Sequence, residues 1–116
     1  MKATVVVLPT LRGVNLQAAV VHEGSHLEDF QRFLASFDKQ GNANAALNIS
    51  TKESEQRAYG LNGDLARLTG ETIRYNGGTF KPIMTSEQVN REIQRILAGI
   101  EREKPGYLQE RLYNWP

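Results

Sequence analysis

The chain reads as an α+β, mainly helical domain, and three observations carry that reading. An apolar, β-branched run over residues 3–8 stops at Pro9, apolar residues recur at helical spacing in long stretches, and two short alternating runs flank Asn76-Gly77-Gly78. The expected order is an N-terminal strand, a long first helix, a second helix, a small β-hairpin and a C-terminal helix. At 116 residues the chain is expected to form one domain, 1–116, around a single core.

Residues 3–8 suit a buried strand, and Thr10 to Val14 a short glycine-containing connection. Asn15 is a suitable N-cap for a helix from Leu16 to Phe37. There Leu16, Ala19, Val20, Leu27, Phe30, Leu34 and Phe37 share one stripe, which is expected to face the core. Residues 38–49 are small and polar and read as a loop. Ser50 with Glu53 is a capping-box pattern opening a second helix, which runs through Leu61, Leu65 and Leu68 to Gly70, a natural C′ residue. Gly60 and Gly63 inside it suggest close approach of another backbone, with that of the first helix as the candidate. Thr72 to Tyr75 and Thr79 to Lys81 alternate around Asn76-Gly77-Gly78 as in a hairpin. Thr85 with Gln88 suits the cap of a third helix, whose Val89, Ile93, Ile96, Leu97 and Ile100 form one apolar face before Pro105-Gly106 ends it. Tyr107 to Pro116 is an aromatic tail.

The first helix contains the stretch richest in chemistry, His22-Glu23-Gly24-Ser25-His26, which holds both histidines of the chain. In a helix the i, i+4 spacing sets the two imidazoles about 40° apart around the axis, where both can ligate one Zn²⁺. The glutamate between them can then draw a proton from water activated by the metal, the core of a zinc-dependent hydrolase. On the helical wheel Glu23 falls near the middle of the apolar stripe and the histidines at its edge, so the helix is expected to bury the carboxylate and to aim the imidazoles along a cleft rim. Glu23 is then either a general base or the partner of a Lys or Arg.

A catalytic zinc site needs a third protein ligand, and in a chain without cysteine that ligand is a carboxylate. The position six residues after His26 is Arg32, which cannot bind a cation. A glutamate or aspartate from a separate helix remains, with Glu53, Glu55 and Asp64 as candidates. Glu53 is accounted for by its cap, whereas Glu55 shares a face with Tyr59, Asn62 and Ala66, so Glu55 is the choice. Tyr59, one turn on, suits an oxyanion donor or a core tyrosine. Asp29 follows His26 on the same face and is expected to accept the second ring N–H of a ligand, unless it is a surface aspartate. Gly24 leaves room for a substrate or for a neighbouring backbone.

Composition narrows the partners. The 14 basic and 13 acidic residues are scattered, so no footprint of nucleic-acid binding is visible. The absence of cysteine excludes a disulfide framework and a thiol nucleophile. No apolar run has membrane-spanning length, and the first residues lack the pattern of a signal peptide, so no membrane association is expected and any export is encoded elsewhere. The expected reaction is hydrolysis of a protein or peptide. The rival readings are a zinc-binding or helical interaction module without protease activity, and a zinc amidase acting on cell-wall peptide. An extended substrate could add to residues 3–8 as an edge strand.

The stretch from Val20 to Asp29, Ala35-Ser36-Phe37 and Thr51-Lys52-Glu53-Ser54-Glu55-Gln56-Arg57-Ala58-Tyr59 resembles the zincin-like metallopeptidase domains at the C-termini of bacterial polymorphic toxins of the Rhs, filamentous-haemagglutinin and related secreted types. The resemblance covers roughly residues 3–70, and HEGSH followed by Glu-x-x-Ala-Tyr is more specific than HExxH alone. It implies a gluzincin-type site in which His22, His26 and Glu55 correspond to zinc ligands and Glu23 to the catalytic glutamate. It also implies an effector at the end of a longer secreted polypeptide, delivered into a rival cell and neutralised in the producer by an immunity protein.

Overall fold

The computed structural model describes residues 13–113, and among these the fold is α+β and mainly helical. The expected strand over residues 3–8, most of the connection after it and the last three residues of the aromatic tail lie outside the described residues. Three helices, α1 (Gly13–Leu34), α2 (Thr51–Thr69) and α3 (Ser86–Glu103), surround one antiparallel hairpin of β1 (Ile73–Tyr75) and β2 (Gly78–Phe80). No helix among the described residues is long and apolar enough to cross a membrane.

Local chemistry explains most boundaries. Ser50 accepts the Glu53 N–H at 3.2 Å and opens α2, while Gly70 closes it in the left-handed region at φ 69°. Only half of the expected capping box forms there, because the Glu53 carboxylate turns to Arg57 instead. The Thr85–Gln88 box that opens α3 is complete. Asn76 and Gly77 both have positive φ, the condition for a tight hairpin turn, and bring Ile73 opposite Phe80 and Tyr75 opposite Gly78. The first helix departs from expectation. Among the described residues it is already helical at Gly13, two residues before Asn15, whose side-chain oxygen instead accepts the Arg74 N–H of β1 at 3.0 Å.

Helices α1 and α2 run antiparallel, as the pairing of Ala18 and His22 with Asn62 and of His26 and Asp29 with Ser54 shows. The buried residues of α1 are Ala18, Ala19, His22, Ser25, Asp29 and Phe33, so of the apolar stripe read from the sequence only Ala19 is buried. Val20 is 49% exposed and Leu34 38%. The seam between the helices is lined by small and hydrogen-bonded polar side chains, so its period is invisible to a hydrophobicity count. The apolar core lies to one side, where Tyr59 and Ala66 of α2 meet Ile73, Phe80 and the Val89, Ile93, Ile96 and Leu97 face of α3. After α3 a 3₁₀ turn at Tyr107–Gln109 buries Leu108, and the chain straps back across the start of α2 through Thr51 N–H to Glu110 O (2.8 Å) and Leu112 N–H to Ile49 O (3.0 Å).

The two interior glycines of α2 have different surroundings, and neither meets the backbone of α1. A Cβ on Gly63 would lie 2.8 Å from Val89 Cγ1, whereas one on Gly60 would meet nothing within 4 Å. Gly60→Ala is therefore expected to stabilise by about 0.5–1 kcal/mol through helix propensity. Gly63→Ala is expected to destabilise by about 1–2 kcal/mol, because a β-branched valine has little rotamer freedom with which to yield. Urea midpoints of the two variants test this, and equal shifts would refute it.

Candidate metal centre

Helix α1 presents His22 and His26 one turn apart, with ring centroids 5.0 Å from each other. His22 is buried at 1% exposure, while the His26 side chain is 25% exposed. The site is thus closed beneath His22 and open past His26. His26 lies at the rim as expected, whereas the placement of His22 at a rim and of Glu23 in the interior is not what the structure shows. His22 belongs to the buried face, and Glu23 is only partly buried. Across the seam α2 supplies Glu55, whose Oε1 lies 2.6 Å from His26 Nε2 and whose Oε2 lies 3.8 Å from His22 Nε2. One donor atom from each of these three residues lies within 4.8 Å of the others, and the group could hold a metal ion.

The other ring nitrogens are held by α2. His22 Nδ1 lies 3.0 Å from Asn62 Oδ1, and the Asn62 amide donates to Ala18 O at 2.9 Å. With its N–H spent on that carbonyl, Asn62 turns its oxygen to His22, which must carry a proton on Nδ1 and turns Nε2 towards Glu55. His26 Nδ1 lies 2.7 Å from Ser54 Oγ, which in turn lies 2.8 Å from Asp29 Oδ2. Asp29 therefore supports His26 through one intervening hydroxyl rather than touching the ring, and its other oxygen accepts from Arg57 at 2.7 Å. Ser54 and Asn62 were not singled out as supports in the sequence. Asn62 shares the Glu55 face and left a faint signal; Ser54 left none.

The charge state suits a cation. Burial pushes the Glu55 pKa up, but hydrogen bonds from His22 and His26 and the charges of both rings outweigh it and hold the carboxyl at about 2. Burial pulls His26 down, but its hydrogen bond to Glu55 and the charges of Glu55, Glu23 and Asp29 outweigh that and lift it above the ordinary histidine value. Two imidazole nitrogens, each with its other ring nitrogen already engaged, and one ionised carboxylate oxygen form a donor set that fits a divalent metal of borderline softness.

Glu23 stands beside this set, and the Tyr75 hydroxyl donates to its Oε1 at 3.2 Å. Tyr75 comes from β1, and its ring lies 4.9 Å from that of His22. No spacing in the sequence connects it to the motif. Tyr59, expected as an oxyanion donor or a core tyrosine, packs in the core. It is 2% exposed, set edge-on against His22 at 4.5 Å and part of the core, and burial followed by the Glu55 charge pushes its pKa up to about 12. Packing is the role this geometry gives it.

The Glu55–His26 contact has a pH signature. A depressed carboxylate stabilises the fold above its ordinary value of 4.5 and ceases to as the pH falls towards about 2. A raised histidine stabilises it below its ordinary value of 6.5 and ceases to as the pH rises through the raised value. In metal-free protein the stability difference between wild type and Glu55→Gln is therefore expected to be largest between pH 4.5 and 6.5. Urea titrations across pH measure it, and a difference independent of pH would refute the pairing.

Comparison with known proteins finds no family model, no curated protein and no solved structure that matches the chain, so its function is read from these side chains.

Proposed function

We propose that the chain is a zinc-dependent peptidase, and that it acts as a toxin or effector domain in competition between bacteria. The observation that carries the chemical part is the convergence of His22, His26 and Glu55 donor atoms within 4.8 Å, beside Glu23 on the same helix. The effector part rests on the resemblance to polymorphic-toxin domains, and with it come delivery into a target cell and a cognate immunity protein.

His22, His26 and Glu55 would hold the zinc. When bound, it supplies Lewis-acid polarisation of a substrate carbonyl and a lowered pKa for water. Glu23 is the general base: its carboxylate takes a proton from the attacking water and delivers it to the leaving amine. Tyr75 holds one Glu23 oxygen and leaves the other for that proton. The neighbouring His26 and Glu55 side chains, 25% and 17% exposed, line the side open to substrate.

Zinc-loaded protein incubated with a bacterial lysate is expected to generate new peptide termini that a chelator suppresses. Bound zinc with no new termini would favour an interaction module, and termini confined to cell-wall peptide would favour an amidase. Glu23→Gln is expected to retain stoichiometric zinc and lose at least about a hundredfold in turnover, the usual scale for a general base. His22→Ala is expected to lose the metal. Unchanged cleavage by the first, or full zinc content in the second, would remove the residue from its role. Tyr75→Phe keeps the ring against His22 and is expected to lower kcat about tenfold at constant KM, as loss of orientation alone does.

A further inference from the structure

The hydrogen bonds that hold His26 continue away from the metal centre, through the helix seam, to the opposite rim of the helix pair. They run from His26 Nδ1 to Ser54 Oγ (2.7 Å), from Ser54 to Asp29 Oδ2 (2.8 Å) and from Asp29 Oδ1 to Arg57 Nη1 (2.7 Å). Asp29 is 4% exposed, and the Arg57 side chain, 42% exposed, lines a cavity of about 480 Å³ between α1, α2 and α3. The ends of this chain have only one possible direction. A guanidinium only donates and a carboxylate only accepts, so the Ser54 proton points to Asp29 and the Ser54 oxygen is left to accept from His26. That bond requires a proton on His26 Nδ1.

We propose that Asp29 and Arg57 together set the direction of this chain, and so hold His26 in the form that presents Nε2 to a metal, with Arg57 acting as a positioning residue from the far surface. The inference rests on the metal-site reading and not on the peptidase reading. Arg57 has two tasks in it. It neutralises a buried carboxylate that would be costly to keep ionised alone. It also decides which way an uncharged side chain at position 29 must face. An asparagine there would turn its oxygen to Arg57 and its amide N–H to Ser54. Ser54 would then accept from residue 29 and donate to His26 Nδ1. The ring proton would move to Nε2, the atom the metal requires.

Asp29→Asn is therefore expected to weaken zinc binding about 10–100-fold, measured by competition with a chromophoric chelator. Adding Arg57→Ala frees the asparagine to turn its oxygen back to Ser54, so the double variant is expected to bind zinc more tightly than Asp29→Asn alone. A merely structural role predicts the reverse, because two losses would accumulate, and a double variant no tighter than the single one would overturn the proposal. A second measurement needs no metal. In Glu55→Ala protein, where no carboxylate competes for Nε2, ¹⁵N imidazole spectra of neutral His26 are expected to show the proton on Nδ1, and on Nε2 once Asp29→Asn is added. A proton on Nε2 with Asp29 present would overturn the proposal. If wild type binds no zinc while these spectra behave as expected, the metal reading fails and the direction of the chain stands.

Discussion

The polar seam between α1 and α2 is the constraint on which the rest of the structure depends. Two antiparallel helices usually meet through apolar ridges, but here the contact includes His22 against Asn62, His26 against Ser54 and Ser54 against Asp29. All of these groups but His26 are removed from water and tolerable only because they are hydrogen-bonded. Ala18, Ala19 and Ala58, all buried, sit among them. The consequence is a register. Sliding one helix along the other by a turn would orphan several buried polar atoms at once, at about 1–3 kcal/mol each, whereas an apolar seam could slip and repack. With that register held, Glu55 stands opposite His26 and both Nε2 atoms face its carboxylate.

The hairpin and α3 complete the site from outside the seam. Tyr75 reaches Glu23 only because β1 lies along α1, where Asn15 takes the Arg74 N–H. On the other strand Glu92 of α3 takes the Thr79 N–H at 2.7 Å, and Arg95 holds the turn through Gly77 O at 2.8 Å. Gly78 leaves room for Ile96, whose Cδ1 would lie 2.5 Å from a Cβ there. These contacts tie up outward backbone N–H groups on both strands of a hairpin only three residues deep, so the hairpin serves to position the Tyr75 phenol. The apolar core and the polar site are thus separate in space but share Tyr59, which packs on both Phe80 and His22.

The spacing of HEGSH, the choice of Glu55 over Glu53, the Ser50 and Thr85 caps, the Asn76-Gly77 turn and the α3 face were all legible along the chain, because each is a contact between residues a few positions apart or on one helix face. The buried face of α1 was not. Counting apolar residues placed Glu23 inward and the histidines at a rim, when the helix in fact buries His22, Ser25 and Asp29. The error has a definite origin: apolar periodicity reports burial only where burial is apolar, and this face is buried because it is hydrogen-bonded.

By itself, the sequence determined the helical elements, the caps of α2 and α3, the hairpin and the chemical inventory of the site, since propensity, capping and i, i+4 geometry are local. Tertiary structure alone decided which atoms of that inventory meet. Asn62 and Ser54 are 40 and 28 positions from the histidines they orient, and Tyr75 is 52 from Glu23. Their roles exist only after two helices and a hairpin have docked, because a hydrogen bond depends on distance and direction in space, and separation along the chain specifies neither.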